Sequence, residues 1–127
     1  MKQTDILEKS FNFSLSVINL YMKLRTEKEF IISKQLLRSA TSIGANVHEA
    51  SAAFSRKDFA HKMSIASKEA RETQYWLKVL DQGKLVELDL KDYIKEIKSI
   101  VNITTAIVKT IQKNLSSRNP SLNCEKV

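Results

Sequence analysis

Residues that interrupt helices are nearly absent from this chain. Its 127 residues include two glycines and a single proline, Pro120. A β-rich fold of this size needs many tight turns, and glycine and proline supply most of them. The scarcity therefore favours long helices with short connections, and the length fits one domain with its own hydrophobic core.

Cysteine content, the first residues and the charge narrow the class of protein. Cys124 is the only cysteine, so we expect neither a disulfide nor a thiolate metal site, and a cytoplasmic location. Residues 1–10 lack the apolar segment of a signal peptide, and no apolar run approaches the ~20 residues that cross a bilayer. The net charge of +7 favours polyanionic partners, although charge also serves solubility.

Hydrophobic periodicity predicts a first helix over residues 4–25 and a second over residues 27–54. The apolar arc of the first helix is wider than contact with one core requires, which indicates more than one neighbour. Between the two helices, "TEKE" has the form of a capping box in which Thr26 and Glu29 satisfy each other's backbone N–H groups.

Capping residues delimit the last two helices. Ser55 is the expected N-cap of a third helix over residues 56–82, and Gly83 is expected to end it in a left-handed conformation. Asp89 is the expected cap of a fourth helix that runs to Leu115.

Helices three and four carry apolar residues at alternating spacings of four and three. These seams comprise Phe59, Met63, Ala66, Ala70, Thr73, Leu77 and Leu80 on one helix, and Ile94, Ile97, Val101, Thr104, Val108, Ile111 and Leu115 on the other. Such seams predict an all-α fold, an antiparallel up-down four-helix bundle. The bundle domain is expected over residues 1–115, followed by a polar, disordered tail over residues 116–127.

The second helix has almost no charge. Its expected core stripe is Leu36, Ala40, Ile43, Val47, Ala50 and Phe54. From residue 39 to residue 54 the only formal charge is Glu49, whereas a helix facing water would carry several. We therefore expect part of this helix to lie in an oligomer interface, at the small residues Ser42, Gly44, Ala45 and Ala52. The alternative is a helix of small residues whose outer side is simply hydrated.

Two segments resemble a known family. "EFIISKQLLRSATSIGANVHEA" and "SRKDFAHKMSIASKEARETQYWLKVL" are similar to the four-helix-bundle proteins of 23S rRNA intervening sequences, also called S23 ribosomal protein-like. The matching positions are Gln35, Leu36, Arg38, Ser42, Ile43, Asn46 and Glu49, then Lys57, Asp58, Phe59, Glu72, Thr73, Tyr75, Trp76 and Leu77. The resemblance extends over roughly residues 5–115.

The resemblance implies a bundle that assembles into a homopentamer. It also implies a distant likeness to the accessory proteins of diversity-generating retroelements, which bind nucleic acid and a reverse transcriptase. No enzymatic activity is established for the family.

Two rows of cations suggest contacts with nucleic acid. At helical spacing, the third helix presents Lys57, Lys68, Arg71 and Lys78, with His61 and Tyr75 in the same arc, and the fourth presents Lys91, Lys95, Lys98, Lys109 and Lys113. Segregated cations of this kind suit phosphate contacts with little reading of bases. The alternative is that both rows are ordinary solvated helix faces.

Residues suited to catalysis are few. His48 and His61 lie on different helices, and no metal-binding or phosphate-loop motif is present, so no catalytic residue, metal site or cofactor is assigned. Gln35, Arg38, Asn46 and Glu49 are expected to form a structural polar network that fixes helix register.

These features leave three alternative hypotheses for the function. The first is a non-enzymatic oligomeric protein that binds the backbone of RNA or DNA, as an accessory or rRNA-associated factor. Its partners would be copies of itself, nucleic acid, and a reverse transcriptase or a ribosomal component, with no membrane. The second is an oligomeric scaffold for another protein, with incidental basic charge. The third, a hydrolase or metal enzyme, has little support.

Overall fold

Four helices account for most of residues 3–118, the part of the chain that the computed structural model describes. They are α1 (Gln3–Thr26), α2 (Ile32–Ser51), α3 (Arg56–Gln82) and α4 (Lys91–Arg118). No strand occurs within residues 3–118, so the all-α prediction is confirmed. Helix α2 packs against α1 and α3, while α4 packs against α3 and, over a smaller area, against α1.

The predicted seams supply most of the core. On α2 the five residues Leu36, Ala40, Ile43, Val47 and Ala50 are all buried. On α3 the buried seam comprises Met63, Ala66, Ala70, Thr73, Leu77 and Leu80. On α4 only Ile97 and Thr104 of the predicted seam are buried, its other five residues are half-buried, and Ile100, outside that seam, is buried instead. Helix α1 contributes Ile6, Phe13, Val17, Leu20 and Leu24 to the same cluster. Burial of these side chains is the main source of stability.

The connection between α1 and α2 differs from the predicted capping box. Thr26 belongs to α1, where its hydroxyl donates to the carbonyl of Met22 (3.1 Å). Lys28 adopts a left-handed conformation (φ 65°), which ends that helix, and α2 begins only at Ile32. Glu29 nevertheless acts as a cap, because its carboxylate accepts N–H groups from three residues at the start of α2: Ile31, Ile32 and Ser33.

The prediction for the end of α2 was also wrong. The helix ends at Ser51, and Phe54, which was placed in the core stripe, is fully exposed. The reason lies in the next helix: the hydroxyl of Ser55, in an extended conformation, accepts the N–H of Asp58 (3.0 Å). This predicted cap fixes the start of α3, so residues 52–54 must form the turn and Phe54 points into solvent.

The remaining helix ends are close to the predictions. The left-handed conformation predicted for Gly83 was wrong: Gly83 caps α3 with a right-handed φ of −75°, and the next residue, Lys84, takes the left-handed conformation (φ 51°). The carboxylate of Asp89 accepts the N–H of Lys91 (3.0 Å) at the start of α4, as expected of a cap. Helix α4 continues to Arg118, three residues beyond the predicted end, and residues 119–127 of the predicted tail lie outside the described residues.

Within residues 3–118 no helix is both long enough and apolar enough to span a membrane.

Substitution of Glu29 tests the capping of the α2 N-terminus. We expect Glu29→Ala to lower the free energy of unfolding by about 1–2 kcal/mol, because three backbone donors lose their acceptor. Urea unfolding followed by circular dichroism measures this loss. The matched control is Glu8→Ala on α1, since the Glu8 side chain is exposed and makes no hydrogen bond or ion pair to the described residues. Equal stability of the two variants would contradict the capping role of Glu29.

Candidate nucleic-acid interface

The predicted cations of α3 and α4 are all exposed. On α3 these are Lys57, Lys68, Arg71 and Lys78, and on α4 they are Lys91, Lys95, Lys98, Lys109 and Lys113. None of the nine forms an ion pair with any residue that the structure describes. Their charge therefore remains available to an external anion.

Thr105 joins the two rows of cations at the α3–α4 contact. Its hydroxyl accepts a hydrogen bond from the guanidinium of Arg71 (2.9 Å) and lies 3.5 Å from the hydroxyl of Ser67. Lys109 follows Thr105 by one helical turn, and Lys98 precedes it by two turns. Arg71 thus leans from α3 towards the lysine-bearing side of α4. We refer to the nine cations together as the basic face.

Nearby carboxylates are engaged with the other two helices. Glu69 binds Arg38 of α2 (3.0 Å), and Glu72 binds the same guanidinium. Glu96 of α4 pairs with Lys9 of α1 (2.7 Å). These three contacts direct negative charge towards α1 and α2, and they leave the basic face predominantly positive.

The structure does not join the four predicted residues into one polar network, and only Gln35 and Arg38 contact each other. The side chain of Gln35 accepts a hydrogen bond from Arg38 (3.2 Å). Arg38 also binds Glu69 and Glu72, which connects this pair to α3. Asn46 and Glu49 lie elsewhere. Asn46 donates to the carbonyl and hydroxyl of Ser42 (2.9 and 3.2 Å), one turn earlier on the same helix.

Glu49 forms an exposed ion pair with Lys62 of α3 (2.8 Å). The hydrogen bond and the positive charge of Lys62 lower the pKa of the Glu49 carboxyl below its ordinary value. The same hydrogen bond and the negative charge of Glu49 raise the pKa of the Lys62 ammonium. Both groups are therefore charged at neutral pH, and the pair links α2 to α3 near the turn between them.

Sequence reasoning missed the partners on α3. Trp76 donates from its indole nitrogen to Glu72 (2.9 Å), which also binds Arg38. A buried hydrogen bond connects Thr73 of α3 to Ser39 of α2 (2.8 Å). The spacing of Glu72 and Trp76, four residues apart, is a signal for their contact. The contacts with α2 depend on the register of two helices, which no local pattern specifies.

The four predicted interface residues occupy different environments. Ala45 and Ala52 are exposed on the outer side of α2, and Ser42 is half-buried. Gly44 instead faces α1, where a methyl group in its place would lie 3.1 Å from the hydroxyl of Ser14 and 3.4 Å from the carbonyl of Ser10. A contact within the chain thus explains the small size of Gly44, and its role between subunits stays a prediction.

An apolar row also lies exposed on α1, at alternating spacings of four and three. It comprises Phe11, Leu15, Ile18 and Met22. Residues 10–22 of this helix contain no Asp, Glu, Lys or Arg. The outer sides of α1 and α2 are therefore poor in charge, in contrast to the basic face of α3 and α4.

A groove on the bundle has the volume of a small-ligand site, but its lining has few groups suited to catalysis. It measures about 580 Å³ and lies between α3 and α4, with Phe59, Ile103, Ile107 and Ile111 among its lining residues and Arg56 at its edge. Across residues 3–118, no three His, Cys, Asp or Glu side chains lie close enough together to hold a metal ion.

Comparison with known proteins agrees with this architecture. The sequence profile described as "23S rRNA-intervening sequence protein" matches residues 2–106. The chain belongs to this family. The family resemblance deduced from the central helices is thereby confirmed.

This chain is similar to a crystal structure from the S23 ribosomal protein family. That structure is of a protein of unknown function from Bacteroides thetaiotaomicron VPI-5482. The two chains are 41% identical, with a TM-score of 0.80 over 86% of this chain and 99% of that one. The comparison with curated proteins found no match.

Arg38 allows the α2–α3 contact to be tested. We expect Arg38→Met to lower the free energy of unfolding by about 1 kcal/mol, because Glu69 and Glu72 lose their shared cation while remaining partly buried. Urea unfolding monitored by Trp76 fluorescence provides the measurement. Lys34→Met is the matched control, since Lys34 lies on the same outer side of α2 and has no ion pair to the described residues. If both variants unfold at the same urea concentration, Arg38 does not hold these helices together.

Proposed function

We propose that this protein is a non-enzymatic, oligomeric member of its family that binds the backbone of RNA or DNA through the basic face. Its role would be that of an accessory or rRNA-associated factor in the cytoplasm. The observation that carries the proposal is the set of nine exposed cations on two adjacent helices, none paired with a carboxylate in the described residues.

The dimensions of the basic face suit a nucleic-acid backbone. Lys91 and Lys113 are separated by about 33 Å along α4 at the usual rise per residue, which is close to one turn of a duplex. Lysine and arginine bind phosphates largely through charge, and the release of counterions drives the association. Contacts of this type give strong salt dependence and little sequence preference.

We further propose that the helices run in alternating directions and that the assembled protein is a pentamer. Cross-helix pairs support the first point: Arg38 contacts Glu69 and Glu72, whereas Glu49, further along α2, contacts Lys62, earlier on α3. Support for assembly comes from the exposed apolar row of α1 and from the outer side of α2 after Arg38, where Glu49 is the only formal charge. Several basic faces in one assembly would increase the affinity for a long polyanion.

Charge reversal on α4 tests nucleic-acid binding. We expect Lys98→Glu combined with Lys109→Glu to weaken binding of random RNA and DNA by at least about tenfold at low salt, and to reduce the slope of log affinity against log salt by about 2. Fluorescence anisotropy across a salt series measures both quantities.

The control for this experiment is Lys23→Glu on α1 combined with Lys34→Glu on α2. This pair changes the net charge by the same amount as the α4 variant but lies outside the basic face. Its affinity should fall much less than that of the α4 variant. Equal losses would mean that net charge, and not the basic face, governs binding. No binding by the unaltered protein at low salt would contradict the proposed function.

The second candidate function is an oligomeric scaffold that binds another protein, such as a reverse transcriptase or a ribosomal component. The observation favouring it is the exposed apolar row of α1, because protein interfaces bury aliphatic and aromatic side chains at their centres. Binding of a protein partner by a variant with a reversed basic face would favour this candidate.

Ala45 provides a test of assembly through α2. We expect Ala45→Arg to shift the protein from oligomer to smaller species, because a bulky cation would enter a close contact between small residues. Light scattering after size-exclusion chromatography gives the mass, and circular dichroism should show unchanged helix content because Ala45 is exposed. Ala106→Arg, which alters an exposed alanine of α4, is the control. A monomeric unaltered protein, or an Ala45→Arg variant of full oligomer mass, would contradict this interface.

A further inference from the structure

Tyr75 places an exposed aromatic ring among the cations of the basic face. Its side chain is 57% exposed, although tyrosine has a large apolar ring. Arg71 precedes it by about one turn of α3 and Lys78 follows it by about one turn, while Lys68 lies two turns before it. Residues at these spacings project from the same side of a helix, so cations lie on both sides of the ring.

The ring of Trp76 packs against the ring of Tyr75. The two rings meet edge to face, with centroids 5.0 Å apart and planes at 67°. Trp76 is in turn held by the hydrogen bond from its indole nitrogen to Glu72, and Glu72 by its ion pair with Arg38 of α2. A chain of contacts from a second helix therefore restricts the Tyr75 ring, and a restricted ring loses less conformational entropy when a ligand binds.

We propose that Tyr75 is a stacking platform for an unpaired base, and that the basic face therefore selects single-stranded over duplex nucleic acid. This inference rests on the proposed binding of nucleic acid and specifies its form. A base within a duplex is covered on both faces by its neighbours, so a side chain on the outside of a helix can stack only on a base that is free.

The flanking cations would hold the phosphates on either side of the stacked base. Residues 68 and 78 lie about 15 Å apart along α3, and Tyr75 lies between them. Arg71 is already oriented by its hydrogen bond to Thr105 on α4. Stacking on an aromatic ring tolerates every base, so this arrangement predicts preference for single strands without preference for sequence.

The experiment compares three oligonucleotides on the full-length protein: a single-stranded RNA, a single-stranded DNA of the same sequence, and an RNA duplex with the same number of phosphates. We expect Tyr75→Leu to weaken binding of both single strands about 5–10-fold and to leave duplex binding within about twofold. Tyr75→Phe keeps the ring and should retain affinity within about twofold. Phe30→Leu is the matched control, because Phe30 is an exposed aromatic residue (45%) in the α1–α2 connection, outside the basic face.

Trp76 supplies a second readout, since it is the only tryptophan in the chain and its ring touches that of Tyr75. Its fluorescence should change on addition of either single strand, and much less on addition of the duplex. Preference for RNA or for DNA among the single strands would identify the natural form and would support the inference equally.

Two results would overturn the inference while leaving the proposed function intact. One is salt-dependent binding that Tyr75→Leu does not alter, and the other is an equal loss for single strands and duplex. Absence of binding by the unaltered protein to all three oligonucleotides at low salt would overturn both proposals. The charge-reversed α4 variant distinguishes these cases, since it should lose affinity for every form of nucleic acid.

Discussion

The ion pairs between Arg38 and the two glutamates of α3 fix several other features of the molecule. Because one guanidinium binds both Glu69 and Glu72, α2 and α3 are held in a single register, to which Thr73 and Ser39 add a buried hydrogen bond. A slide of either helix by one turn would separate all of these partners. The buried hydrogen bond between Thr73 and Ser39 helps to specify one arrangement among several that a purely apolar seam would allow.

The same ion pairs determine where charge is displayed. If Glu69 and Glu72 pointed outward, they would offset the cations of α3. Their engagement with Arg38 keeps them on the α2 side, and the pair between Glu96 and Lys9 has a corresponding effect on α4. The register of the bundle and the potential of its surface therefore have a common cause. Glu72 also orients Trp76, so the contact continues to the exposed ring of Tyr75.

Much of the fold follows from local patterns in the sequence. The core residues of α2 and α3 repeat at helical spacing, and Ser55 with Asp58 is a cap contained within four residues, so both were predictable. The errors occurred where neighbouring signals compete. Thr26 could start one helix or end another, and the left-handed conformation that ends α1 falls on Lys28. Phe54 fits the periodicity of α2, but the cap of α3 requires its position for a turn.

For the candidate site, the sequence predicts which cations are exposed but not which side chains contact them. Exposure of the nine cations follows from their arc on each helix, opposite the core. The contacts that join or separate them do not, because Arg71 with Thr105 and Arg38 with Glu72 connect residues more than thirty positions apart. Such pairs depend on packing between helices, which hydrophobic periodicity only broadly constrains. Sequence reasoning therefore identified the basic face and missed the side chains that shape it.

The division of the surface also constrains how copies of the chain could associate. The exposed side of α1 and the outer side of α2 carry small or apolar residues over segments with little charge, while α3 and α4 carry the unpaired cations. Contact between two basic faces would bring like charges together with few carboxylates to offset them, which is unfavourable. Contact through α1 and α2 avoids that repulsion and buries apolar area. Assembly by this route would leave every basic face open to solvent, so oligomer formation and binding of a polyanion would not compete for one surface.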